Sequence, residues 1–358
     1  MKHLRWLAVS TLALACGAQR QEPQLVASTP PRAALLARDA ETAPRSATAL
    51  APVGQARPIV VPPSVLPPAA TSTSIGSPTN GRLVGGVPLP LAGLGFRHND
   101  RRSRDARYGT VEAVAAIVQA AAVVARELPG SELVVNDLGL PHGGPISHHG
   151  SHRAGRDADI LFYLLDDAGA PMASVGAPID PDGIGVDYKD LSDPSDDVRV
   201  HFDAARTWRF VQALLAQPDS ELQRIFVVEH LRTKLLAEAE RTSAPAELVA
   251  RFADLTCQPG YPHDDHLHVR WFCSAEDLRA GCEDAAPLYP FRAAQLAALH
   301  VKPVLAARSK SEEPAAVVTQ ADAERAVVAA APHADVLAFL KRRKAWEKQP
   351  HPGRPYCR

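Results

Sequence analysis

The run His263-Asp264-Asp265-His266-Leu267-His268-Val269-Arg270 alternates polar and apolar side chains through its second half. Such alternation marks a β-strand with one buried face, because successive side chains leave a strand on opposite sides. A strand over 266–272 therefore sends His266 and His268 to one face and Leu267 and Val269 to the other. Two imidazoles on one strand face can meet a single reaction centre. The run His148-His149-Gly150-Ser151-His152-Arg153-Ala154-Gly155-Arg156-Asp157-Ala158-Asp159 supplies complementary groups. His152 falls in a turn-rich segment, Gly155 permits a sharp reversal, and Asp159 lies on a strand expected over 157–165. That arrangement can bring His152 and Asp159 together.

Two imidazoles and one carboxylate, with a fourth position open to water, suit Zn²⁺. Zinc lowers the pKa of its water to roughly 7 and polarises a carbonyl. His152, Asp159 and His268 are the expected ligands. His266, beside a ligand but not one itself, is placed to move the proton. Each piece also has a plainer reading. A lone His-x-His is more often a structural pair, a lone His–Asp spacing means little, and Asp157 could open its strand as a solvated carboxylate. The histidines between 142 and 152 could form a loose metal-scavenging tract. The joint pattern, with both clusters at strand edges, favours one centre.

Working outward, 110–128 reads as a buried helix with Thr110 as N-cap, Glu112 in its first turn and Pro129-Gly130 at its end. A strand is expected over 132–138. Residues 166–202, rich in Asp, Gly and Pro, read as a long loop. Asp203 opens a helix reaching about residue 217, with Trp208, Val211, Leu214 and Leu215 on one side. A short strand follows at 225–228, helices at 231–241 and 246–255, and one further helix near 321–347. Helices and strands do not alternate in regular βαβ units, so the expected class is α+β.

Lys2 and Arg5 precede an apolar run over 6–15 that matches a signal segment and is too short to span a bilayer. Small residues before Cys16 resemble a lipobox; ordinary cleavage, or Cys16 as a plain apolar residue, are the other readings. Residues 17–75 are rich in Ala, Pro, Ser and Thr and read as a linker. A folded domain is expected over 76–300 and a C-terminal tail over 301–358. The formal charge of -1 gives no basic excess for a phosphate backbone, which argues against nucleic acid. Cys273 and Cys282 are close in sequence and are expected to pair; Cys257 with Cys357 would then tie the tail to the body. The lack of any C-x-x-C spacing argues against thiolate zinc.

The pattern Ser151-His152-x-x-Gly155-x-x-x-Asp159, followed by His266-Leu267-His268, resembles the LAS metallopeptidases. Within that group the penicillin-insensitive murein endopeptidases match further, at Asn80-Gly81, Val84-Gly85, Arg107-Tyr108-Gly109, residues 137–141, Gly143-Gly144, His149 and residues 263–270. The resemblance covers roughly residues 76–290. It implies a small antiparallel sheet flanked by helices, and a periplasmic zinc DD-endopeptidase acting on D-alanyl–meso-diaminopimelate cross-links between peptidoglycan stem peptides. Lipid anchoring to the outer membrane would follow if Cys16 is modified. By the same resemblance His152, Asp159 and His268 are zinc ligands, His266 is catalytic, and His149 matches a further metal histidine. A middle-loop Asp and His assigned to metal in related chains find only His201 as a counterpart. Arg82 stands where related chains carry a cysteine. The alternatives are a D,D-carboxypeptidase or dipeptidase of the same superfamily, a non-catalytic wall-binding lipoprotein, and a metal scavenger.

Overall fold

A computed structural model describes residues 71–217, 221–259, 261–307 and 320–347. The signal segment, Cys16, the linker up to residue 70 and Cys357 lie outside the described residues. Among the described residues no helix is long and apolar enough to cross a membrane.

The class is α+β, as the sequence implies. The central sheet has seven strands, in spatial order Thr256–Cys257, Leu222–Phe226, His266–Trp271, Asp157–Leu161, Leu133–Val135, Phe96–His98 and Ala92–Gly93. Its middle is antiparallel. Two parallel pairs lie toward its margins, Leu222–Phe226 with Thr256–Cys257 and Phe96–His98 with Leu133–Val135.

The two central strands pair in the register His268↔Asp159, Val269↔Ala158 and Arg270↔Asp157. One face of this pair carries Ala158, Ile160, Leu267 and Val269, all within the main apolar core. The helix Val111–Glu127 joins that core through Val114, Ile117, Ala121 and Val124. Its cap is as expected: Thr110 Oγ1 accepts from the Ala113 amide at 3.3 Å. The helix Ala204–Leu215, capped by Asp203, buries Trp208, Val211, Leu214 and Leu215. The other face carries the charged and imidazole side chains.

Several boundaries differ from expectation. The strand expected over 157–165 breaks after Leu161, and Leu164–Leu165 joins a separate four-stranded sheet. That sheet also takes Pro171–Met172, Ile184–Val186 and Arg199–Phe202 from the stretch expected to be loop. Asx turns at Asp166 and Asp180 reverse the chain between these short strands. Their brevity hides them from a periodicity argument. The single helix expected near 321–347 is two, Gln320–Ala329 and Ala334–Glu347, because Ala331 turns to φ 48° just before Pro332. Both contribute to the main core, through Val327, Val336, Phe339 and Trp346. Cys273 pairs with Cys282, with Cα atoms 6.1 Å apart. Cys257 is also disulfide-bonded.

Removing the cap tests the helix that backs the sheet. Thr110→Ala should cost about 1 kcal/mol of stability, read as a lower denaturant midpoint with an unchanged slope. A stability within error of the parent would show that the cap contributes nothing.

Candidate metal centre

The register fixes the site. Asp157 and Asp159 share a face because they are two residues apart, and His266, His268 and Arg270 share the facing side of the neighbouring strand. His149 and His152 come from the segment that crosses this face. His152 sits at φ 67°, and Gly155 follows at φ 71°. A Cβ on Gly155 would stand 2.7 Å from a Leu83 methyl carbon, so glycine is required there. A left-handed histidine is uncommon and marks a backbone held by its surroundings. Here the Leu138 carbonyl accepts from His152 Nδ1 at 2.7 Å, and the Asp157 carboxylate accepts from the His152 amide at 3.4 Å.

Each imidazole has one nitrogen tied to an outer acceptor. His268 Nε2 donates to Asp157 at 2.8 Å and His266 Nδ1 to Asp265 at 2.7 Å. His149 Nε2 donates to Asp137 at 3.0 Å, and His263 Nδ1 to the Tyr261 carbonyl at 2.8 Å. Such ties fix the tautomer and leave the other nitrogen with a lone pair for a cation.

Those free nitrogens converge on one carboxylate. His152 Nε2 and His266 Nε2 each lie 3.3 Å from Asp159 Oδ1, and His268 Nδ1 lies 3.2 Å from it. His149 Nδ1 is 3.4 Å from Asp159 Oδ2. Yet Asp159 Oδ1 and His152 Nε2 are buried without a hydrogen-bond partner. Lone pairs facing one another at this depth repel unless a proton or a cation lies between them. This donor set therefore fits a divalent ion of the kind that takes nitrogen and oxygen ligands. Two groups of donor atoms are close enough to hold one: His149, His152 and Asp159, and His263, His266 and His268.

The electrostatics agree. Burial opposes the His266 imidazolium, but Asp159 and Asp265 outweigh it and raise its pKa to about 10. His152 is likewise raised against its burial, chiefly by Asp159. Burial and the neighbouring His152 charge hold His149 well below the ordinary histidine value. His263 is held low by burial and by His266. Burial disfavours the Asp157 and Asp159 anions, yet both are held well below the carboxylate range, Asp157 by Arg270 and His268, Asp159 by His266 and His152.

All five residues singled out from sequence (His149, His152, Asp159, His266 and His268) meet at this centre. His201 does not: it pairs with Asp167 at 2.8 Å on the smaller sheet. Asp157 is not the solvated carboxylate of the plain reading. It is fully buried and binds His268 and Arg270, the latter at 2.6 Å. The period of two that groups His266 with His268 also groups Asp157 with Asp159, so that signal was present. Asp137, Asp265 and Arg102 received no role from spacing. Arg102 ion-pairs with Asp137 behind His149, which no sequence distance suggests. A cleft of about 390 Å³ opens over the centre, with Arg102, Asp159, His266 and His268 among its lining residues.

A carboxylate ringed by tautomer-locked imidazoles beneath an open cleft defines a metal-dependent hydrolase centre on an α+β scaffold. Residues 74–319 match the family model of penicillin-insensitive murein endopeptidases, and the chain belongs to that family. It is 31% identical over 233 residues to the penicillin-insensitive murein endopeptidase of Pectobacterium atrosepticum, covering 62% of this chain and 72% of that one. The protein of that name from Haemophilus influenzae is 30% identical over 226 residues, covering 61% and 68%. One from Klebsiella pneumoniae is 31% identical over 229 residues, covering 63% and 74%.

Two measurements test the centre. Asp157→Asn should weaken divalent-metal binding by roughly 10- to 100-fold in a chelator competition, with the unfolding transition recorded alongside; unchanged affinity would remove Asp157 from the site. Protons and metal compete for the same lone pairs. Because the His152 pKa is raised, metal retention should decline as pH falls, starting above the ordinary histidine value near 6.5. Retention that is flat down to pH 5 would contradict this.

Proposed function

We propose that this protein is an exported zinc endopeptidase that hydrolyses D-alanyl–meso-diaminopimelate cross-links in peptidoglycan. Family membership supports the reaction class. The single observation that carries the chemistry is the orphaned Asp159 Oδ1 among three imidazole nitrogens. In this reading His152 Nε2, Asp159 and His268 Nδ1 hold the zinc, and His149 Nδ1, 3.4 Å from Asp159 Oδ2, is a further metal contact. When bound, the ion supplies a Lewis acid for the scissile carbonyl and lowers the pKa of water to roughly 7.

The chain's own residues do the rest. The Leu138 carbonyl and Asp157 hold two ligand rings in the tautomers that expose Nε2 of His152 and Nδ1 of His268. Asp159 is one of the two charges that raise the His266 pKa, so with Asp159 engaged as a ligand His266 is neutral on Nε2. It takes the water proton there and passes it to the leaving amine. Asp265, on its Nδ1, stabilises the imidazolium formed between those steps. No side-chain nucleophile is acylated, so a β-lactam finds no serine to modify. The substrate implies a periplasmic enzyme; a lipid on Cys16 would anchor it to the outer membrane, with the residues from 17 up to the strand Thr73–Ser77 as a tether.

Digestion of purified cross-linked muropeptides tests this reading. Dimers should disappear, and chelation should stop the reaction. Release of terminal D-Ala alone would point to a carboxypeptidase instead. His266→Ala should keep its metal and lose on the order of 10²- to 10⁴-fold in kcat. A fully active His266→Ala enzyme would overturn the division of roles.

A further inference from the structure

The family match ends at residue 319. The helix Ala334–Glu347 lies beyond it, yet two of its side chains reach the loop that delivers His266. Arg343 is 1% exposed and grips the fully buried Asp264 with both arms of its fork, Nε to Oδ2 at 2.8 Å and Nη2 to Oδ1 at 2.6 Å. The same Nη2 donates to the Tyr261 hydroxyl at 3.1 Å. Trp346 Nε1 donates to Asp264 Oδ2 at 3.0 Å. In return, Gln258 Nε2 donates to the Trp346 carbonyl at 2.9 Å, while Gln258 Oε1 accepts from the Glu229 amide. The helix thus holds the loop at residues 258, 261 and 264. The next two residues are Asp265 and His266, which bond to each other. Tyr261 also lines the catalytic cleft.

A buried ion pair contributes little net stability, because desolvation offsets most of the attraction. A two-pronged Arg–carboxylate contact does fix direction, since the planar fork accepts one orientation. Asp264 lies one residue before the Asp265–His266 pair, so its direction sets that of the peptide carrying both.

We propose that the Ala334–Glu347 helix is a positioning clamp for His266, with Arg343 and Trp346 as positioning residues acting through Asp264. The inference rests on His266 being the group that moves the proton. Holding a proton-transfer group in line is worth rate, because small displacements at a reacting centre cost on the order of 100-fold. Of the metal ligands, His152 and Asp159 come from elements that the clamp does not bond, and His268, on the strand after the loop, is held separately by Asp157.

The test uses the full-length enzyme and cross-linked muropeptides. Arg343→Met keeps the apolar stem and removes the fork. It should lower kcat by roughly 10- to 100-fold, with KM within about twofold and bound metal unchanged. Arg343→Lys should recover part of the loss. Trp346→Phe keeps the ring and drops one donor, so it should lower kcat by a few-fold; it decides the matter if Arg343→Met does not fold. On a His266→Ala background, the Arg343→Met loss should vanish. Unchanged kcat in both Arg343→Met and Trp346→Phe, with His266→Ala reduced to its residual rate, would overturn the clamp alone. A loss of metal in step with kcat, or an undiminished loss on the His266→Ala background, would also overturn it. Full activity in His266→Ala would instead strike the functional reading on which the clamp rests.

Discussion

The buried carboxylate of Asp157 is the constraint on which the centre depends. Its Oδ1 accepts from His268 and Arg270 on the neighbouring strand, and its Oδ2 from the amide of His152. One side chain therefore sets the tautomer of His268, ties the two central strands, and holds the left-handed turn that brings His152 inward. The charge is retained because Arg270 compensates it; stripping a partner from such a pair costs about 3–5 kcal/mol. Asp159, two residues on, uses the same strand face and is surrounded by imidazole nitrogens instead of a guanidinium. The two carboxylates are thus separated in role by their neighbours: one is neutralised by a fixed cation, and the other is left needing a mobile one.

The period-two pattern made much of this legible in advance. His266 and His268 could be placed on one strand face because the apolar residues between and after them demanded a core on the opposite side, and Asp159 on a second strand; that the two strands are neighbours is fixed by tertiary pairing. The Thr110 cap, the Asp203 cap and the Cys273–Cys282 pair were readable from local chemistry. The outer acceptors were less so. Asp137 and Asp265 act through contacts fixed by tertiary packing, and Arg102 approaches from a separate segment. The short strands between residues 164 and 202 were missed because two- to four-residue strands carry no measurable period. The break at Ala331 was legible in Pro332, which interrupts a helix, and was passed over because helical residues continue on both sides of it.

The scaffold divides its labour by sheet face. One face and the helices behind it bury apolar side chains and fix the register; the other concentrates charge. Such a centre has to be over-determined, since each imidazole must be held while its free nitrogen stays bare. The outer acceptors do this for individual rings, and the C-terminal helix does it for the loop behind His266. That helix lies outside the family-matched residues, so the loop carrying Asp265 and His266 is held in part by a segment that the family model does not match.

The central claim is that one metal lies between His152, Asp159 and His268, with His266 left free for the proton. A crystal of the zinc-loaded protein, with anomalous data on both sides of the zinc absorption edge, tests it most directly. The account predicts a strong peak about 2.0–2.2 Å from His152 Nε2, an Asp159 oxygen and His268 Nδ1, with His266 Nε2 outside bonding distance. A principal peak held by His263, His266 and His268 instead would contradict it.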